Sequence, residues 1–145
     1  MDQTLSAVNG VETKFRRIES RLDELVSRAE PDFRAVNVRV GDCSARNHYK
    51  GDYLFWSHSF LKEWDVGVER ARITVRLFYN EPLNPEDPTE IESSWRAELF
   101  QQGQQSRIDK RSESTISLAD IERQGIYSLV EAAIREGEAY LPKPR

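Results

Sequence analysis

Cysteine is almost missing from this chain. Cys43 is the only one among 145 residues, so no internal disulfide can form and a disulfide-stapled scaffold is excluded. Histidine is nearly as rare, with His48 and His58 alone. No apolar run approaches the length of a membrane span, and no Asn-x-Ser/Thr acceptor is present. The opening Met1-Asp-Gln-Thr-Leu-Ser lacks the basic and apolar regions of a secretion signal. There is no glycine-rich phosphate loop and no dinucleotide fingerprint. A surplus of positive charge is also lacking: net charge is −4 and the isoelectric point about 5.3, which argues against a polyanion binder. These absences suggest a soluble cytoplasmic protein, with no membrane association and no cofactor.

What is present fits one α+β domain over residues 1–145, with 1–8 and 142–145 flexible. The hydrophobic share is modest at 38%, but Trp56, Trp64, Trp95, six Phe and five Tyr supply large buried areas. The stretch Asn9–Ala29 reads as a long helix. Asn9 with Glu12 resembles a capping box, and Pro31 is the expected stop because it pushes Glu30 out of the α region. Val8, Val11, Phe15, Ile18, Leu22, Leu25 and Ala29 recur in steps of three and four. Such a stripe must be covered by the chain's own sheet or by a second copy.

Phe33–Val40 alternates and reads as a strand, with Val36, Val38 and Val40 on one face. After a polar connection over Gly41–Gly51, Asp52–Leu61 reads as an aromatic-rich second strand, and Trp64–Val68 holds a turn at Gly67. Arg70–Asn80 is the clearest strand, with Ile73, Val75, Leu77 and Tyr79 opposite Arg70, Arg72, Thr74, Arg76 and Phe78. Asn80–Thr89, with Pro82, Pro85 and Pro88, is a solvated acidic loop. Ile91–Phe100 fits either a strand or a Pro-started helix, and its alternation favours the strand. A loop around Gly103 then leads to a polar edge strand, Ser106–Ser114. Ser117 caps a last helix whose broad apolar face runs from Leu118 to Ile134, with Gly137 loosening its end. The order is α-β-β-β-β-β-α: an antiparallel sheet of four to five strands with the N- and C-terminal helices on one face.

No catalytic set and no metal site emerges. Cys43, His48 and His58 match no strong zinc spacing, and Ser59-Phe-Leu-Lys62 matches Ser-x-x-Lys without its companion motifs. Three surfaces remain. If the first helix pairs with a copy of itself, Phe15, Ile18, Leu22 and Leu25 form the seam. Lys14 then meets Glu19 of the partner, which favours a parallel pair. The sheet face opposite the helices would carry Arg39, Arg70, Arg72, Arg76 and Arg96 among Phe78 and Phe100. Such a face suits an acidic protein partner better than nucleic acid, given the net charge; the alternative is a solvated face of cross-strand ion pairs. A pocket between sheet and helices, with His58 or Glu122 as its polar group, is the ligand-binding or enzymatic alternative. The leading expectation is a non-enzymatic interaction protein that forms a homodimer and recognises another macromolecule.

Overall fold

A computed structural model describes residues 3–47, 53–80 and 89–144, with side chains described for 13–41, 54–80 and 89–144. The elements run α1 (Gln3–Ala35), β1 (Arg39–Asn47), β2 (Tyr53–Val66), β3 (Glu69–Asn80), β4 (Glu90–Phe100), β5 (Ile108–Ser117), α2 (Leu118–Gln124) and α3 (Ile126–Glu138). The strands form one antiparallel meander in the order β1-β2-β3-β4-β5. This is the expected α+β architecture.

The first helix is longer than its sequence signals suggest. It runs straight through Asn9, so Asn9 is not its cap, and one interior glycine at 10 costs only about 1 kcal/mol relative to Ala. It also runs through Pro31. Proline there removes one backbone donor, at a typical cost of about 3 kcal/mol. The site is exposed, as is Ser27 one turn earlier, so water can reach the freed carbonyl. What continuing gains is Phe33, 1% exposed, with its ring 4.9 Å from Phe60 and 5.2 Å from Tyr127.

The true stop is Asn37 at φ 60°. Val38 N–H donates to Phe33 O at 2.8 Å and Asn37 N–H to Arg34 O at 3.2 Å, the paired bonds of a Schellman ending. The strand expected at Phe33–Val40 is therefore corrected: its first half is helix and cap, Val36 is exposed, and the strand proper starts at Arg39. Alternation over so short a run is ambiguous where a helix end and its cap also bury every fifth residue.

From β2 onward the alternation holds. β2 reaches Val66 and turns back through Gly67-Val68, with Gly67 at φ 63°, as a two-residue Gly-X hairpin requires. β3 buries Ala71, Ile73, Val75, Leu77 and Tyr79, and β4 buries Ile91, Trp95, Ala97 and Leu99. Residues 91–100 are thus strand. Both long helices lie on this face: Phe15 of α1 stacks on Tyr79 at 5.6 Å, and Glu136 of α3 accepts from Trp95 Nε1 at 2.9 Å.

Ser117 caps α2 as expected, accepting from Asp120 N–H at 3.2 Å. The single last helix does not form. Gly125, at φ 86° and ψ 145°, ends α2 and starts α3. Gly137 does not loosen the end of α3 but is buried within it, and a Cβ there would meet Ile73 Cγ2 at 3.2 Å, so its bareness lets the helix sit close to β3. Nor is Pro142 loose: its carbonyl accepts from Trp64 Nε1 at 2.9 Å, beside buried Leu141. Residues 81–88, most of the acidic loop, lie outside the described residues.

Candidate interaction surfaces

The stripe on α1 is covered by its own chain. Phe15 and Leu22 are 0% exposed, Ile18 6% and Leu25 8%, and Val26, Ala29 and Phe33 join them in the core. The seam proposed for a second copy is the seat of the helix on β1 and β2. Val8 and Val11 lie outside the described side chains. Lys14 and Glu19 flank the stripe half-buried, and Glu19 accepts from Arg16 within the same helix at 2.9 Å. A parallel zipper through these residues would have to expel the sheet, and Glu19, one half of the charge pair expected to orient it, is engaged by Arg16 of its own helix.

His58 and Glu122 are far apart in role. His58 faces the helices, 5% exposed, with Nε2 3.2 Å from Asp23 Oδ1. The same oxygen accepts from Trp56 Nε1 at 2.8 Å. Together with Trp64 and Trp95, each indole N–H ties a different segment to the sheet: α1, the C-terminal tail and α3. Glu122 is exposed on α2 and pairs with Arg21 of α1 at 3.2 Å. Its expected aim into a pocket is corrected. The break at Gly125 separates its helix from the one carrying Val130 and Ile134, so the two do not share one apolar face.

Trp56 is fully buried and Tyr127 packs on Phe33, so aromatic side chains fill the interior there. Two adjoining hollows, of about 230 and 650 Å³, open instead where the end of α1, Lys62 of β2 and the end of α3 meet. Lys62 and Glu138, 2.8 Å apart, line both. Neither His58 nor Glu122 lines them.

Ser59 and Lys62 lie three apart on a strand, hence on opposite faces of the sheet, so the Ser-x-x-Lys spacing brings nothing together. His48 and the Cys43 side chain lie outside what is described. Among the described residues no group of His, Cys, Asp or Glu could hold a metal ion, and no helix is long and apolar enough to cross a membrane.

The face opposite the helices is where the arginines gather, but it is not basic. Register places Glu63 beside Arg72, Asp65 beside Arg70, Glu98 beside Arg72 and Asp109, and Arg111 beside Arg96. On this face Arg39, Arg70, Arg72, Arg76, Arg96 and Arg111 are thus more than matched in number by Glu63, Asp65, Glu90, Glu92, Glu98, Asp109 and Glu113. Glu63 is the hub: Arg39 reaches it at 2.6 Å, Arg72 at 3.6 Å, and Arg70 bonds it as well. Arg96 bridges Glu98 and Asp109, each at 2.9 Å.

Burial pushes the Glu63 carboxyl up, and the Arg70 hydrogen bond with the Arg72, Arg70 and Arg39 charges more than reverses this, leaving it below the ordinary glutamate value. The Arg96 hydrogen bond likewise holds Asp109 low. A carboxylate depressed in the folded state contributes stability that is present above its unfolded pKa. That stability is lost as pH falls through the folded value. Glu63→Gln should therefore cost about 1–3 kcal/mol at neutral pH, since three guanidinium groups lose a charged acceptor. It should also flatten the acid limb of the stability curve. Urea titrations across pH 3 to 7, roughly the carboxylate range and above, would show this; an unchanged acid limb would contradict the assignment.

Among these charges lie apolar rings. Phe55 and Phe78 stack at 6.1 Å, Arg76 lies over Phe78 at 4.8 Å, and Arg72 over Phe100 at 4.8 Å. All three phenylalanines are half-buried on a face over which, among the described residues, no helix lies. Sequence alternation places the arginines here; it does not reach Glu63 and Asp65, because the second strand is expected to end at Leu61 and β2 runs on to Val66. Their alternation with Trp64 and Val66 continues the strand period and was the available signal. Comparison with protein-family models, curated proteins and solved structures finds no match to this chain.

Proposed function

We propose that this protein is a non-enzymatic interaction module that self-associates and presents its uncovered sheet face to another macromolecule. The observation that carries this reading is the set of half-buried phenylalanines, Phe55 stacked on Phe78 and Phe78 and Phe100 under arginines, on a sheet face over which no helix lies among the described residues. Aromatic and arginine side chains are the types that concentrate binding energy at interfaces. Because the arginines are already matched by carboxylates, the face offers apolar contact and exchangeable ion pairs rather than a positive field. An acidic partner or nucleic acid is therefore not specially favoured over a mixed protein surface. The lone Cys43 fits a reducing compartment, and we place the protein in the cytoplasm. Size exclusion with light scattering at roughly tens of micromolar, where weak homodimers populate, should give a mass above the 16.8 kDa of one chain. A single species at the one-chain mass would overturn self-association.

A further inference from the structure

With the α1 stripe occupied by the sheet, a second copy must use another surface, and the free edge β5 is built for it. Among the described residues β5 pairs with β4 on one side only. Its other side therefore presents a row of unpaired backbone donors and acceptors. From Asp109 to Thr115 every residue is exposed, on both faces of the sheet, so no helix shields the middle of this edge. Exposed edges are usually guarded by charge, and here the charges have a particular order. Ile108-Asp-Lys-Arg-Ser112-Glu-Ser-Thr-Ile116 places Arg111 and Glu113 symmetrically about Ser112, and Ile108 and Ile116 symmetrically at the ends.

We propose that two copies pair their β5 strands antiparallel about a two-fold axis through Ser112, continuing one sheet through both protomers. The proposal rests on the self-association read above and names its surface. A two-fold axis perpendicular to the sheet keeps the helices of both copies on the same side, so residues of one face must oppose residues of that face. Only registers centred on a residue satisfy this. Centring on Arg111 sets arginine against arginine and Asp109 against Glu113. Centring on Glu113 sets glutamate against glutamate. Centring on Lys110 sets lysine against lysine and shortens the overlap.

Centring on Ser112 sets Arg111 opposite the partner's Glu113 on the open face, twice by symmetry. On the helix-bearing face it sets Ile108 opposite the partner's Ile116, and a small hydroxyl lies on the axis. Glu113 has no ion-pair partner among the described residues, whereas Arg111 reaches Asp109 only at 3.6 Å, so both groups are available for a cross-strand pair. Ile108 and Ile116 are half-buried at the rim of the core and would lose their remaining exposure.

The test measures dimer dissociation of the full chain by sedimentation velocity for wild type, Arg111→Glu, Glu113→Arg and the double variant. Each single reversal places like charges together at two symmetric positions and should weaken the dimer roughly tenfold or more, and the double variant should restore it. All sites are exposed, so thermal melts taken well below the dimer dissociation constant should be unchanged. In a Cys43→Ser background, Ser112→Cys should cross-link to dimer under mild oxidation, while Ser128→Cys on α3 should not. A dimer indifferent to both reversals, and uncrosslinked through 112, would overturn the β5 pairing while leaving self-association standing. A wild type that stays at one-chain mass would overturn both.

Discussion

Phe33→Ala should lower the unfolding free energy by about 3–5 kcal/mol, the range for deleting a fully buried phenylalanine. Val36→Ala, three residues on, should change it by no more than about 0.5 kcal/mol. The contrast follows from where the helix ends. Phe33 is 1% exposed between Phe60 and Tyr127, and its carbonyl accepts the Val38 N–H that closes the helix; Val36 is 40% exposed. Were residues 33–40 one strand with Val36, Val38 and Val40 on the core face, Val36 would be among the costly deletions. Denaturant titration of the two variants distinguishes these arrangements by sign of rank alone, and equal losses would refute the helical ending described here.

Gly125→Ala should cost about 1–3 kcal/mol, because φ 86° with ψ 145° belongs to a region that residues with a Cβ scarcely enter. In an unbroken helix from Leu118 to Glu138 the same substitution would stabilise by about 1 kcal/mol, the helical propensity gained over glycine. The two expectations have opposite sign. A Cβ at 125 would meet nothing within 4 Å, so the cost is one of backbone conformation and not of crowding. Thermal or urea unfolding decides it, and a stabilised variant would mean that the break between α2 and α3 is not required by the fold. The break has a purpose in packing. It lets α2 follow the end of β5 while α3 crosses β3 and β4, with Ile121 and Ile126 buried on either side of the joint.

The candidate surfaces were legible to different depths. Alternation in Arg70–Asn80 and Ile91–Phe100 correctly put one set of residues in the core and the arginines on the other face, because a half-buried strand writes its period directly into the sequence. The charge of that face was not legible. It depends on which residue of a neighbouring strand stands beside each arginine, and that is set by register. Extending β2 to Val66 moved Glu63 and Asp65 next to Arg72 and Arg70 and turned an apparently basic face into a lattice of paired charges. The edge at β5 shows the same division. Its polarity and edge position could be read from Arg107, Asp109, Lys110 and Arg111, but that its helix-side face is also exposed follows only from where α3 lies.

By itself the sequence determined the class of fold, the core faces of β3 and β4, the turn at Gly67, the cap at Ser117, and that the α1 stripe had to be covered. These are local or periodic signals, each settled within a few residues of chain. Tertiary structure alone decided what covers that stripe, where α1 stops, and how the C-terminal helix divides. Each is a competition between a local preference of about 1–3 kcal/mol, such as proline inside a helix, and burial of a large side chain worth about as much or more. A local rule yields when the distant surface that can repay it is close enough to touch, and only the folded chain brings Phe60 and Tyr127 to Phe33.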